Sequence, residues 1–123
     1  DIDQLTSDSG SSTHEGTENE LHEALQRSPE ERLARLQNAP KFPESKTVPT
    51  TIWVRNYDVV AEALHLANGI CEGCKQPAPF LRQSDGTPYL EVHHKVPLSV
   101  GGEDTLENTI ALCPNCHRRA HYG

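Results

Sequence analysis

The sequence has no apolar run long enough to cross a membrane, little hydrophobic content for its length and no surplus of basic residues. Each shortage closes off a class of function. A membrane helix needs roughly 20 consecutive apolar residues, and no stretch of this chain approaches that. The first twenty residues, Asp1 to Glu20, are polar and acidic and lack the apolar core of a secretory signal. Disulfides need an oxidising compartment, so the expected setting is cytoplasmic, with reduced cysteines. With 34% apolar residues and a mean hydropathy of −0.66 over 123 residues, the chain has room for one domain, or for a small domain with an appendage. A large core is not expected, and a small core needs a staple of disulfides or metal. Four cysteines are available for it.

A net charge of −7 is the wrong sign for a nucleic-acid binder, but it is unevenly spread. Residues 1–50 hold ten acids and five bases, whereas residues 51–123 hold eight acids and six bases. Composition therefore does not argue for DNA, and any such case has to rest on a site. The chain begins with Asp1 rather than Met, which leaves open whether it is a piece of a longer protein.

The organisation follows from punctuation residues. Asp1 to Gly16 is rich in Ser, Thr, Asp and Gly and reads as a disordered tail (1–16). Thr17 and Glu20 form a capping box ahead of Leu21, Ala24 and Leu25, and Ser28-Pro29-Glu30-Glu31 forms a second ahead of Leu33 and Leu36. Pro40, Pro43 and Pro49 mark an extended linker, so 17–50 is short helices plus a Pro-rich connector and 51–123 is the folded domain. Within that domain Thr51 to Arg55 predicts a short strand. Asn56 or Asp58 caps a helix carrying Val60, Ala63, Leu64 and Ala67, and Asn68-Gly69 ends it. Asp85-Gly86 predicts a hairpin turn between Phe80-Leu81 and Tyr89-Leu90, the second strand running on into His93 and His94. A loop containing Pro97 and Gly101-Gly102 leads to a strand at Thr109 to Leu112, and a closing helix is expected from near Cys116.

Cys71-x-x-Cys74 and Cys113-x-x-Cys116 are two half-sites that can offer four sulfurs to one tetrahedral ion, for which zinc is the natural choice. The 38 residues between them exceed the zinc-ribbon gap of roughly 15–20. The excess is the segment that carries the histidines. A disulfide pair and a redox dithiol are the competing uses of these cysteines.

Histidines are usually surface residues or satisfied core residues, and His14, His22 and His65 are read that way. His93, His94, His117 and His121 differ because of their spacing. Adjacent strand residues face opposite sides, so one of His93 and His94 can bind a metal while the other faces a separate target. His117 and His121, at i and i+4, can address one ion from a helix.

Here the chain resembles a known family. The run from His93 to His121 looks like the ββα-metal, or HNH, nuclease motif. The chain from about Arg55 to Gly123 resembles the zinc-stapled, McrA-type bacterial restriction endonucleases. The matching text is Ala67-Asn-Gly-Ile-Cys-Glu-Gly-Cys74, Pro77-Ala-Pro-Phe80, Tyr89-Leu-Glu-Val-His-His94, Pro97-Leu98, Gly101-Gly102, Asn108 and Cys113-Pro-Asn-Cys-His-Arg-Arg-Ala-His121. The resemblance implies an α+β fold, a small ββα-metal domain stapled by a four-cysteine zinc. It implies His93 as a metal ligand where many members carry Asp, His94 as the general base, and Asn108 as the residue that holds the loop and orients His94. His117 falls on the third motif position as a metal ligand, and His121 on an extra histidine present in some members.

The chemistry accounts for the same residue types. Phosphodiester hydrolysis needs an activated water, a cation on the scissile phosphate and stabilisation of the leaving 3′ oxygen. An imidazole suits a general base at neutral pH if it is kept off the metal by a second partner. Two or three imidazoles suit Mn²⁺, Co²⁺, Ni²⁺ or Zn²⁺, and Mg²⁺ stays in play because phosphate adds oxygens. Arg118, Arg119 and Lys95 are the expected DNA phosphate contacts, with solvated surface charge as their plainer role. Tyr89 and Trp53 are expected in the core rather than as base-stacking platforms.

The expectation is a single-metal DNA endonuclease of restriction type, acting on foreign or methylcytosine DNA. Nothing in the chain looks like a base-reading module, so an upstream DNA-reading domain is expected. One site cuts one strand, and a homodimer is one arrangement that would cut both. The rival from another class is a catalytically silent zinc module that binds DNA or protein. Such a module would need the sulfurs but not His94. A secreted nuclease toxin would share the chemistry.

Overall fold

The computed structural model describes residues 11–123. They fall into two compact units, one ending at Thr51 and one running from Ile52 to Gly123. The first unit holds α1 (Ser11–Gln26) and α2 (Pro29–Asn38). Helix α1 begins at Ser11, so residues 11–16 are helical rather than part of a disordered tail. The Thr17 box lies inside the helix instead of at its start. Residues 1–10 of the expected tail lie outside the described residues. The second box behaves as its sequence predicts: Ser28 caps α2, its hydroxyl accepting from the Glu31 amide at 3.1 Å, with Pro29 at the first helical position. Arg32 donates to the Ala24 and Arg27 carbonyls at 3.2 and 2.6 Å, covering acceptors that the end of α1 leaves open.

The second unit is built on α3 (Tyr57–Ala67), β1 (Glu91–His94), β2 (Thr109–Leu112) and α4 (Pro114–Tyr122), with 3₁₀ turns at Leu98–Val100 and Leu106–Asn108. Asn56 caps α3 through the Asp58 amide at 3.0 Å. Asn68 ends the helix in the left-handed conformation at φ 52°. Strands β1 and β2 pair antiparallel, Glu91 opposite Leu112 and His94 opposite Thr109, and α4 follows directly, completing a ββα unit.

Two of the predicted strands are absent. Residues 51–55 lie outside any sheet, and Trp53 is 42% exposed, not in the core. The segment around Asp85-Gly86 is a tight loop closed by a single bridge, Leu81 to Pro88. Alternation of apolar residues marks a strand only where a partner offers its free edge, and these segments lack one.

The core is two small clusters. Cys71, Leu90, Ala111 and Leu112 form one; Val60, Ala63 and Val92 form the other, and Leu64 packs against both. Glu72 fastens the first knuckle to β2, its amide donating to the Ala111 carbonyl and its carboxylate accepting from the Ala111 amide, both at 2.9 Å. No helix among the described residues is long and apolar enough to cross a membrane.

Candidate functional site

Helix α4 carries donors for two separate clusters. Its N-cap is Cys113, whose sulfur accepts from the Cys116 amide at 3.5 Å, and Pro114 occupies the first helical position. The helix therefore starts two residues before the expected Cys116. Cys71 makes the same contact with the Cys74 amide, also at 3.5 Å. The four cysteines are free thiols whose sulfurs lie within 4.8 Å of one another. Gly73 lets the two knuckles close: a Cβ there would come within 3.0 Å of the Leu112 side chain and 3.4 Å of Cys116.

The proton economy of the cluster suits a cation. Burial works against the Cys71 thiolate, but backbone amide donors outweigh it and bring its pKa down to about 6. Cys116 is pushed up to about 12, chiefly by its contact with Cys113 and then with Cys71. Four donor sulfurs crowded this closely are the arrangement that a divalent ion draws together. The donor set fits zinc.

One turn further along α4, His117 and His121 meet His93 from β1. The donor nitrogens of the three rings lie within 4.8 Å of one another, with ring centroids 4.9–5.1 Å apart. His117 Nδ1 donates to Glu91 Oε1 at 2.7 Å, and the other Glu91 oxygen accepts from the Tyr89 hydroxyl at 2.7 Å. A carboxylate only accepts, so the His117 proton sits on Nδ1 and Nε2 presents its lone pair. That Nε2 is 3.1 Å from His121 Nε2. Two nitrogens at about 2.0–2.1 Å from one tetrahedral ion stand roughly 3.3 Å apart, so the spacing fits a shared cation. The hydrogen bond from His117 is the main reason the Glu91 carboxyl sits below its ordinary value. Burial opposes it, while Tyr89 and the charge of Arg118 assist. Glu91 and Tyr89 were not singled out as site residues by sequence reasoning. The signal was there in the i, i+2 spacing that puts Glu91 on the same face of β1 as His93.

His94 lies on the other face with Val92, the face that α3 covers. Its ring is fully buried, and Nε2 is 3.0 Å from Asp104 Oδ1. Asp104 was also missed, because nothing in its spacing links it to His94. Asn108 makes three side-chain hydrogen bonds across the loop of residues 95–108. It accepts from the Val96 amide at 2.9 Å and donates to the Val96 and Glu103 carbonyls at 3.0 and 2.7 Å. Its backbone carbonyl accepts from the Lys95 amide at 2.7 Å.

The three expected phosphate contacts do not converge. Arg118 is exposed and close enough for its charge to act on Glu91. Arg119, about 160° around the helix from His117 at ~100° per residue, lines a hollow with Gly73, Cys74 and Cys116 on the sulfur side. Lys95 donates to the Glu107 carbonyl at 3.2 Å. Of the other histidines, His22 and His65 are exposed, and the His14 side chain lies outside the described residues. Tyr89 is half-buried, stacked on Phe80 at 4.6 Å.

A family model described as HNH endonuclease matches residues 71–123. The chain is 56% identical over 71 residues to the type IV methyl-directed restriction enzyme EcoKMcrA of Escherichia coli K12, a match covering 58% of this chain and 25% of that enzyme. It is 45% identical over 31 residues to anaredoxin of Nostoc sp., covering 25% of this chain and 41% of that protein. The chain thus spans a quarter of the restriction enzyme and less than half of anaredoxin in these matches. Residues 71–123 thus form a domain that matches the HNH endonuclease family model.

Proposed function

We propose that residues 52–123 are the cleavage domain of a metal-dependent DNA endonuclease that hydrolyses phosphodiester bonds with one catalytic ion. The observation that carries this reading is the pairing on α4 of a four-sulfur cluster with a three-imidazole cluster, one donor short of a tetrahedral set. A structural ion has no use for the second cluster. A bound divalent ion, whether Mg²⁺, Mn²⁺, Co²⁺, Ni²⁺ or Zn²⁺, would supply Lewis-acid stabilisation of the phosphate and the leaving oxygen.

The protein's own residues do the rest. His93, His117 and His121 hold the ion, and Glu91 orients His117 and keeps its Nε2 unprotonated. His94 takes the proton of the attacking water. Asn108 braces the loop that follows His94. Arg118 meets the DNA phosphate beside the site, with Lys95 and Arg119 contacting the backbone farther out. Cys71, Cys74, Cys113 and Cys116 hold a structural zinc.

The similarity to a methyl-directed restriction enzyme supports restriction of foreign or methylcytosine DNA as the biological role, in the cytoplasm. An upstream DNA-reading domain and a homodimer would supply site choice and the second cut. Full burial of His94 favours one other reading, a catalytically silent zinc module that binds DNA or protein.

Plasmid cleavage decides between them. Protein kept zinc-loaded at the cysteines but freed of other divalent ions, then re-fed with each ion on methylated and unmethylated DNA beside His94→Ala, is expected to cut only with an added ion and only in the wild type. No cutting under any ion, with zinc bound and the fold intact, would establish the silent module.

A further inference from the structure

The geometry points to Asp104 as a positioning residue for His94, one that fixes both the orientation of the ring and the nitrogen that carries its proton. The inference rests on the reading of His94 as the base, but its structural half can be measured without cleavage.

The two oxygens of Asp104 have different duties. Oδ2 accepts from the Asn56 amide at 2.6 Å, and Asn56 is the residue that caps α3. The carboxylate is therefore fastened to the start of a helix. Oδ1, 3.0 Å from His94 Nε2, faces the ring. Burial raises the Asp104 carboxyl pKa, but the Asn56 amide, the His94 ring and the charge of Arg55 together bring it below the ordinary carboxylate range. The group is an anion at neutral pH, and an anion can only accept.

A neutral imidazole has one N–H. If Asp104 accepts at Nε2, the proton is there, and the lone pair is on Nδ1. Without that acceptor the proton could sit on either nitrogen, and a proton on Nδ1 would remove the lone pair that a base must offer. The ring cannot compensate by turning, because its side chain is 1% exposed.

The loop explains why Asp104 arrives at this place. Asn108 holds the Glu103 carbonyl, one residue before Asp104, and both backbone groups of Val96, two residues after His94. Gly102 completes the constraint, since any Cβ there would overlap the Val96 carbonyl. Asn108 thus acts on His94 through Asp104: it sets the loop, the loop delivers the carboxylate, and the carboxylate sets the ring.

The test uses the full chain, zinc-loaded and ¹⁵N-labelled at histidine, as wild type, Asp104→Ala and Asp104→Asn. In the wild type the ring nitrogens of His94 are expected to report a single Nε2–H tautomer. The alanine variant should show mixed tautomers. The asparagine variant, whose amide can donate as well as accept, should shift toward Nδ1–H. Cleavage turnover should fall roughly 10²-fold or more for alanine, with KM for DNA and zinc content held.

An unchanged His94 tautomer in both variants would overturn the inference. So would a loss of zinc in both, which would make Asp104 merely structural. If the wild type cuts nothing with any divalent ion, the nuclease reading fails, and the tautomer measurement still decides the role of Asp104.

Discussion

The sulfur cluster and the imidazole cluster share a helix, yet they are built to opposite ends. The sulfur site takes its donors from two like knuckles, each beginning with a cysteine whose sulfur accepts from the amide of the second cysteine. Four soft donors fill a tetrahedron, so nothing is left for a substrate. The imidazole site takes one donor from a strand and two from α4, with a carboxylate behind one of them. Three donors leave a tetrahedral ion open. A closed site holds the chain together, and an open site holds something else. What separates the two is less the ion than the number of donors and whether a partner behind them fixes their protonation.

Ways to break that contrast range from large to small. Cys71→Ser should have the greatest effect. The core is two small clusters, and structural zinc in comparable small domains is worth about 10–16 kcal/mol. The variant should lose zinc and unfold the unit from Ile52 to Gly123, seen as loss of the cooperative thermal transition. An undiminished melting temperature would show that the sulfur site is not the staple.

His94→Ala should act on the other side of the contrast alone. Turnover is expected to fall about 10²–10⁴-fold with zinc content and fold intact, and wild-type-like cleavage would remove His94 from the mechanism. Glu91→Gln comes next, weakening the imidazole site roughly 10–100-fold for its ion. Cobalt titration followed by its visible absorption would read this, with the sulfur site unchanged as the internal control.

Acid should weaken the fold through a third route. The Glu91 and Asp104 carboxyls sit below their ordinary values, so the folded state binds protons less readily than the unfolded chain. The stability they contribute is fully present above the unfolded pKa of about 4 and is lost as pH falls through their folded values. Urea melts of the zinc-loaded protein between pH 6 and pH 3 should show a falling midpoint. Replacing Glu91 with Gln should flatten part of that fall.

The smallest difference is expected between neighbours. Arg118→Ala should weaken DNA binding several-fold and reduce its salt dependence, whereas Arg119→Ala, farther out on the sulfur side, should do so more weakly. Equal effects in a fluorescence-anisotropy titration would mean that the DNA covers both faces of α4.

Much of this could be read without a structure. The Ser28 cap, the Asn56 cap, the stop at Asn68 and the strand at residues 109–112 all follow from local rules, because each depends on neighbours within a turn. The two half-sites and the i, i+4 histidines were legible for the same reason. Failures came where a distant partner decides the outcome. Residues 51–55 look like a strand but find no edge to pair with, and Trp53 is left exposed. The hairpin at Asp85-Gly86 is reduced to one bridge.

The sequence by itself determined which donors exist and at what spacing, since ligand chemistry and helical or strand periodicity are properties of the local chain. Only the tertiary structure decided which face each donor takes, that Glu91 stands behind His117, and that Asp104 reaches His94 from a loop anchored at the start of α3. A hydrogen bond to a ring nitrogen needs a partner within about 3 Å. For His94 the chain meets that distance only by folding back, from ten residues away in sequence, onto a helix it completed earlier.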